Sequence, residues 1–187
     1  MHSDLAGPMQ VQSIQGMLYI ATFINNYSRH GVVYFLKSKD QCAAAFKTFL
    51  AWAETQTSER LLTLHSDQGG EYLLHTIKNV LDQKGIEHKL TMPGSPQQNG
   101  VAKRWNCTIL DKVQSMLHSA RLSLSFWELA ADAAVHTYNR SPTHVLGWWT
   151  PHELWTDRHI PDISYFRIFR CKAHVHVPED KQKKLDP

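Results

Sequence analysis

Cysteine is scarce in this chain, and the three present, Cys42, Cys107 and Cys171, stand far apart. None has the CxxC or His/Cys spacing of a zinc site, and three isolated thiols cannot frame a disulfide-stapled domain, so they read as buried or incidental. Long apolar runs are missing too, since nothing approaches the roughly 18 consecutive apolar residues that a membrane-spanning helix needs. The opening MHSDLAGP carries neither a basic nor an apolar stretch, so no secretory leader is expected, and a reducing compartment, nuclear or cytoplasmic, follows. The longest basic run is KQKK. Charge of one sign is equally absent. Twenty Lys and Arg against 17 Asp and Glu leave a net +3, too small an excess to single out a nucleic-acid binder.

What is there is the balance of a soluble domain. At 187 residues, with 42% apolar and 20% charged positions, the chain is long enough to bury one core. MLYIATFI (17–24) and GVVYFLKS (31–38), separated by Asn25 and Asn26, read as paired strands. Asp40 is the expected N-cap of a helix to about Thr55, with Cys42, Phe46, Phe49, Leu50 and Ala53 at helical spacing. LLTLHSD (61–67) is a strand closed by Gly69 and Gly70. A helix with Leu73, Ile77, Val80 and Leu81 on one stripe follows and stops at Gly85. IEHKLTM (86–92) is another strand, and PGSPQQNG (93–100) is a loop by composition. Val101, Trp105, Ile109, Val113 and Leu117 mark a long amphipathic helix to about Ala120. Phe126, Trp127, Leu129, Ala130, Ala133 and Ala134 mark another, from about Ser125 to Asn139. The order predicts an α/β fold, a mixed sheet with helices on its faces.

Two matching tripeptides stand out, His2-Ser3-Asp4 and His65-Ser66-Asp67. An Asp at the tip of an apolar strand is well held for a metal ion; it also serves as a plain turn residue or helix cap, and either Asp alone fits that reading. Enzymes that cut and join polynucleotides clamp the attacking and leaving oxygens between two Mg²⁺ ions about 4 Å apart, which takes carboxylates converging from separate segments.

HSDLAGPM, FINNYSR, HSDQGGEY, PGSPQQNGVAKR, FWELA with NRSPT, TPHELW, and FRIFRC with KKLDP, in that order, resemble the integrase core of copia-type retrotransposons. That family belongs to the ribonuclease H-like superfamily. The resemblance implies a five-stranded mixed sheet flanked by helices, with a catalytic core over residues 1–140 and a Pro-, Trp- and base-rich extension over 141–187. It implies an Asp, Asp, Glu triad, Mg²⁺ or Mn²⁺ as cofactor, DNA as substrate, and self-association or pairing with an intact integrase. Carried over by position, Asp4 and Asp67 are the first two acids and the metal ligands. Thirty-five residues lie between Asp67 and Lys103, the interval at which the family's third acid follows the second, so Lys103 stands where Glu is expected. Gln97, Gln98, Asn99, Lys103, Arg104 and Lys112 are the implied nucleic-acid contacts; for the lysines and arginine a solvated helix face is the alternative.

An ammonium cannot ligate Mg²⁺, so the resemblance implies an impaired polynucleotidyl transferase. An active strand transferase or nuclease with an altered site, or a domesticated interaction module, are the alternatives. Rescue by Glu71 competes with its reading as a helix-start acid. Other departures are Asn25 and Asn26 for Asp-Asp, Cys107 for Arg and Arg170 for Gly. With Lys103, each is one transition away in its codon, the mark of cytosine deamination. Only Met1, His2 and Ser3 precede Asp4, which implies a first strand shortened at its beginning.

Overall fold

The computed structural model describes residues 1–67, 75–91, 99–157 and 159–173. Five strands, β1 (His2–Ala6), β2 (Tyr19–Ile24), β3 (Gly31–Leu36), β4 (Thr63–Ser66) and β5 (Glu87–Leu90), form one sheet in the order β3-β2-β1-β4-β5. β1, β2 and β3 pair antiparallel, whereas β4 runs parallel to both β1 and β5. Short connections allow the antiparallel pairs, and helical crossovers deliver the parallel ones. The mixed five-stranded sheet expected from the sequence is therefore present. β1 lies at its centre, and Asp4 is the third of its five residues, paired with Thr22. The expectation of Asp4 at a strand tip is thus corrected: Leu5 and Ala6 continue the ladder against Ala21 and Ile20.

Helices α1 (Cys42–Thr57) and α2 (His75–Lys84) cover one face, and α3 (Gly100–Ala120) and α4 (Trp127–Asn139) cover the other. β2 shows why both faces need a lid. Ala21 and Phe23 point toward Phe46, Phe49, Leu50 and Leu81, and Ile20 and Ile24 point toward Trp105, Ile109, Val113 and Trp127, the period-2 alternation of a strand buried on both sides. Phe23 stacks on Phe49 at 4.5 Å between centroids, and both are fully buried. Each such ring contributes about 1.5–3 kcal/mol by leaving water.

Several boundaries differ from expectation. Asp40 does not cap α1; a 3₁₀ turn, Lys39–Gln41, precedes the helix, and Ser38 is the extended residue before that turn. On α4 Leu129 is exposed and Glu128 is buried, because Ser13 Oγ donates to Glu128 Oε2 at 2.6 Å and provides the carboxylate with a partner. Leu73 and Glu71 lie outside the described residues. Arg170, where the resembled family has glycine, takes φ 69, a left-handed conformation that glycine adopts without a Cβ penalty.

Beyond α4, helix α5 (Pro151–Trp155) opens on a capping box, with Thr150 Oγ1 accepting from the Glu153 N–H and Glu153 Oε2 accepting from the Thr150 N–H. It presents Trp155 to Trp52 and His30, ring centroids 5.7 and 5.0 Å away. Burial, with the nearby His152 and Arg140 charges adding, pushes His30 down to about 3, so it packs as a neutral ring. No helix among the described residues is long and apolar enough to cross a membrane.

Candidate functional site

The two HSD tripeptides lie side by side. β1 and β4 are parallel with His2 opposite His65, so the repeat is in register: histidine on histidine, serine beside serine, and two residues further along, the two aspartates. The histidine rings stack at 4.8 Å. Ser3 and Ser66 are fully buried, and Asp4 is 8% exposed. Asp67 follows the last residue of β4 and is half-buried. Period 2 also places Asp4 on the face of Thr22, Ile20 and Ile24, the face that α3 covers.

Helix α3 meets this face through two asparagines. Asn99, just before the helix, is completely buried, and its Nδ2 donates to the Ser3 carbonyl at 2.9 Å. Asn106 donates through Nδ2 to Asp4 Oδ2 at 2.8 Å, while its Oδ1 accepts from Thr22 Oγ1 at 2.8 Å. Asn106 thus ties the central strand, its neighbour and the helix into one buried chain. The sequence reading passed over it, although a signal existed: an amide one turn after Ala102 and three residues before Ile109, inside the buried stripe of α3.

Lys103 lies one turn before Asn106 and is half-buried. Burial raises the Asp4 carboxyl above its ordinary range, and the Asp67 charge raises it further; the Asn106 hydrogen bond, the Lys103 ammonium and the Leu5 backbone pull it back without cancelling the rise. Asp67 and Lys103 are therefore each close enough to Asp4 for their charges to act on its carboxyl. Burial likewise lowers His2 and His65 and holds both rings neutral. His2 Nε2 lies 3.1 Å from Asn26 Oδ1, and Asn25 Oδ1 accepts from the Tyr27 and Ser28 N–H groups, holding the β2–β3 turn.

Of the other residues singled out from the sequence, Arg104 is exposed and Lys112 half-buried on α3. Asn99 faces the sheet rather than solvent, with its amide on the Ser3 carbonyl. Gln97 and Gln98 lie outside the described residues.

The donor set of the described residues does not fit a two-ion clamp. It offers two neighbouring carboxylates, one of them engaged by Asn106, beside the Lys103 ammonium, which hard cations reject. No group of three His, Cys, Asp or Glu suited to a metal ion occurs among the described residues.

Comparison with known proteins yields a consistent picture. An integrase core domain model matches residues 1–96, and a second integrase core domain model matches 84–151. The chain is 43% identical over 185 residues, 99% of its length, to the retrovirus-related Pol polyprotein from transposon TNT 1-94 of Nicotiana tabacum. It is 29% identical over 180 residues, 92% of its length, to the corresponding polyprotein from transposon RE2 of Arabidopsis thaliana. The chain spans only 14% and 12% of those polyproteins. Among solved structures, a chain of the simian T-cell lymphotropic virus intasome in complex with the PP2A regulatory subunit B56 gamma aligns with TM-score 0.67 and 15% identity over 95% of this chain and 59% of that one. The HTLV-2 integrase catalytic core in complex with magnesium, in a trimeric form, aligns with TM-score 0.61 and 14% identity over 84% of this chain and 94% of that one. At such identities the structures show a shared fold.

Proposed function

The chain belongs to the integrase core domain family, and on that premise we propose that it is a core of the retrotransposon type whose strand-transfer chemistry is impaired at Lys103. The observation that carries this reading is the charge at the third position. An ammonium stands one turn from the amide that holds Asp4, and its charge acts on the Asp4 carboxyl, one of the two that would attract the metal. Exchanging a carboxylate for an ammonium at about 5 Å from a divalent ion is unfavourable by about 3 kcal/mol even in a waterlike dielectric. That weakens binding of the ion by about a hundredfold.

Asp4 and Asp67 are the remaining metal ligands in this reading, and they are too few for the clamp. What the chain's own residues do is hold the frame: Asn106 fixes the Asp4 carboxylate and Asn99 anchors the start of α3 to β1. Lys103, Arg104 and Lys112 on α3 supply weak contacts to DNA phosphates by charge neutralisation. Residues 1–140 are the proposed core and 141–187 its extension, within which Trp155 packs against Trp52 and His30. DNA, a second copy of the chain or an intact integrase are the proposed partners.

The test is Mg²⁺- or Mn²⁺-dependent nicking and strand transfer on a labelled DNA end, comparing the protein with Lys103→Glu. The protein as it stands is expected to be inactive and the variant active. Nicking by the unsubstituted protein would overturn the impairment. Inactivity of both, with unchanged circular dichroism, would show that Lys103 alone does not account for it.

A further inference from the structure

A second polar feature of α3 lies away from the carboxylates. Val101, Arg104, Trp105 and Thr108 share one side of the helix, at i, i+3, i+4 and i+7, and with the β2–β3 turn and the end of α4 they line a pocket of about 230 Å³. Arg29 enters from the turn, Tyr138 from α4, and Thr143 and Val145 from the turn beyond it. None of the described lining residues is acidic. Arg29 and Arg104 thus line one small space with no carboxylate among the described lining residues to neutralise them, an arrangement that favours capture of an anion. Tyr138 and Thr143 add hydroxyl donors, while the Thr108 hydroxyl donates to the Arg104 carbonyl at 3.0 Å. The volume falls below the roughly 300 Å³ at which small-molecule sites begin, so the pocket admits one anionic group and not a whole nucleotide.

Its walls are built. The Arg29 guanidinium donates to Asn26 Oδ1 at 3.3 Å, and the Arg29 backbone, at φ 59, donates to the Asn25 carbonyl at 3.0 Å. Tyr138 packs edge-on against Trp105 with centroids 5.6 Å apart. Burial raises the Tyr138 hydroxyl and the Arg29 charge opposes that rise, which places the guanidinium within electrostatic reach of the phenol. The turn that supplies Thr143 and Val145 is closed by the Trp148 N–H to the Thr143 carbonyl at 2.9 Å and the Thr143 N–H to the Trp149 carbonyl at 3.2 Å. The same turn holds Trp148 68% exposed, edge-on to His144 at 5.7 Å.

We propose that this pocket seats one phosphodiester of an unpaired nucleic-acid strand between Arg29 and Arg104, with a neighbouring base stacked on Trp148. A basic cleft beside an exposed aromatic platform suits single strands, whose bases are free to stack on protein rings; a duplex already stacks its bases internally. The proposal rests on the reading of Arg104 as a nucleic-acid contact, and it adds Arg29 and Trp148 to the contacts named from the sequence.

The experiment is fluorescence anisotropy with labelled dT20 and with a 20-base-pair duplex over a salt series, on proteins matched for melting temperature. Arg29→Gln and Arg104→Gln are each expected to weaken dT20 binding about five- to tenfold and to reduce the salt slope by about 0.7. Trp148→Asn, chosen to suit the left-handed backbone at φ 70, is expected to weaken dT20 about fivefold or more and to leave the duplex unchanged. Unchanged dT20 binding by Arg29→Gln and Trp148→Asn overturns the pocket. If Lys103→Gln and Lys112→Gln weaken binding in that case, the contacts along α3 stand without it; if the parent binds neither probe, both fail. Equal losses on dT20 and duplex from Trp148→Asn overturn the single-strand assignment.

Discussion

Asp4 shows what burial and a neighbouring charge do to a single carboxyl. Its carboxyl is raised by burial and by Asp67, so the folded protein holds the Asp4 proton more tightly than the unfolded chain does. Stability associated with this group is therefore greatest below the unfolded value, about 3.9, and is lost as pH rises through the raised folded value. Asp4→Asn keeps the shape and an acceptor for Asn106 while removing the charge. It is expected to melt higher than the parent at pH 7, with the difference closing below about pH 4; a pH series of thermal melts reads this directly, and equal melting at pH 7 would contradict the electrostatic strain. Asn106→Ala has the opposite sign. It leaves a buried carboxylate and the Thr22 hydroxyl without their partner, a loss of about 1–3 kcal/mol measurable by urea unfolding.

At the scale of elements, the close approach of β3 to α3 sets the geometry. A Cβ built on Gly31 would lie 2.2 Å from Trp105 Cζ2, and Asn139 brackets the same glycine by accepting from its N–H at 3.0 Å and donating to its carbonyl at 2.8 Å. Gly31→Ala is expected to displace Trp105 and lower stability by about 1–3 kcal/mol, seen as an earlier urea midpoint with a red-shifted tryptophan emission. The long helix was legible from period alone, with Trp105, Ile109, Val113 and Leu117 buried as expected; Val101 is only half-buried, and Ala102 and Asn106 complete the stripe. Periodicity counts apolar positions, so it could not reveal a buried amide or a buried Glu128 matched by a serine far away in sequence. The HSD repeat was visible as two similar strings. That they lie in register depends on strand order, which no local pattern encodes. The Arg29 pocket was hidden for the same reason, since its walls come from three distant segments.

For the whole molecule, both cores share one sheet, and β1, which carries Asp4, is its middle strand. Ligation at Asp4 and Asp67 would therefore be felt as stability of the entire fold, because an ion that binds only the native state adds RT ln(1 + [L]/Kd) to unfolding. That makes Lys103 testable without catalysis. The parent is expected to melt at the same temperature in Mg²⁺ and in EDTA. Lys103→Glu, with three acids at the site, is expected to melt lower than the parent in EDTA, where three carboxylates repel, and to recover in Mg²⁺. At a concentration ten times its Kd the gain is about 1.4 kcal/mol, or about 3–6 °C for a chain of this size. A Mg²⁺-dependent rise in the parent itself would mean that Asp4 and Asp67 hold the ion despite the ammonium. Lys103 would then be a bystander, and the impairment proposed at that residue would fall.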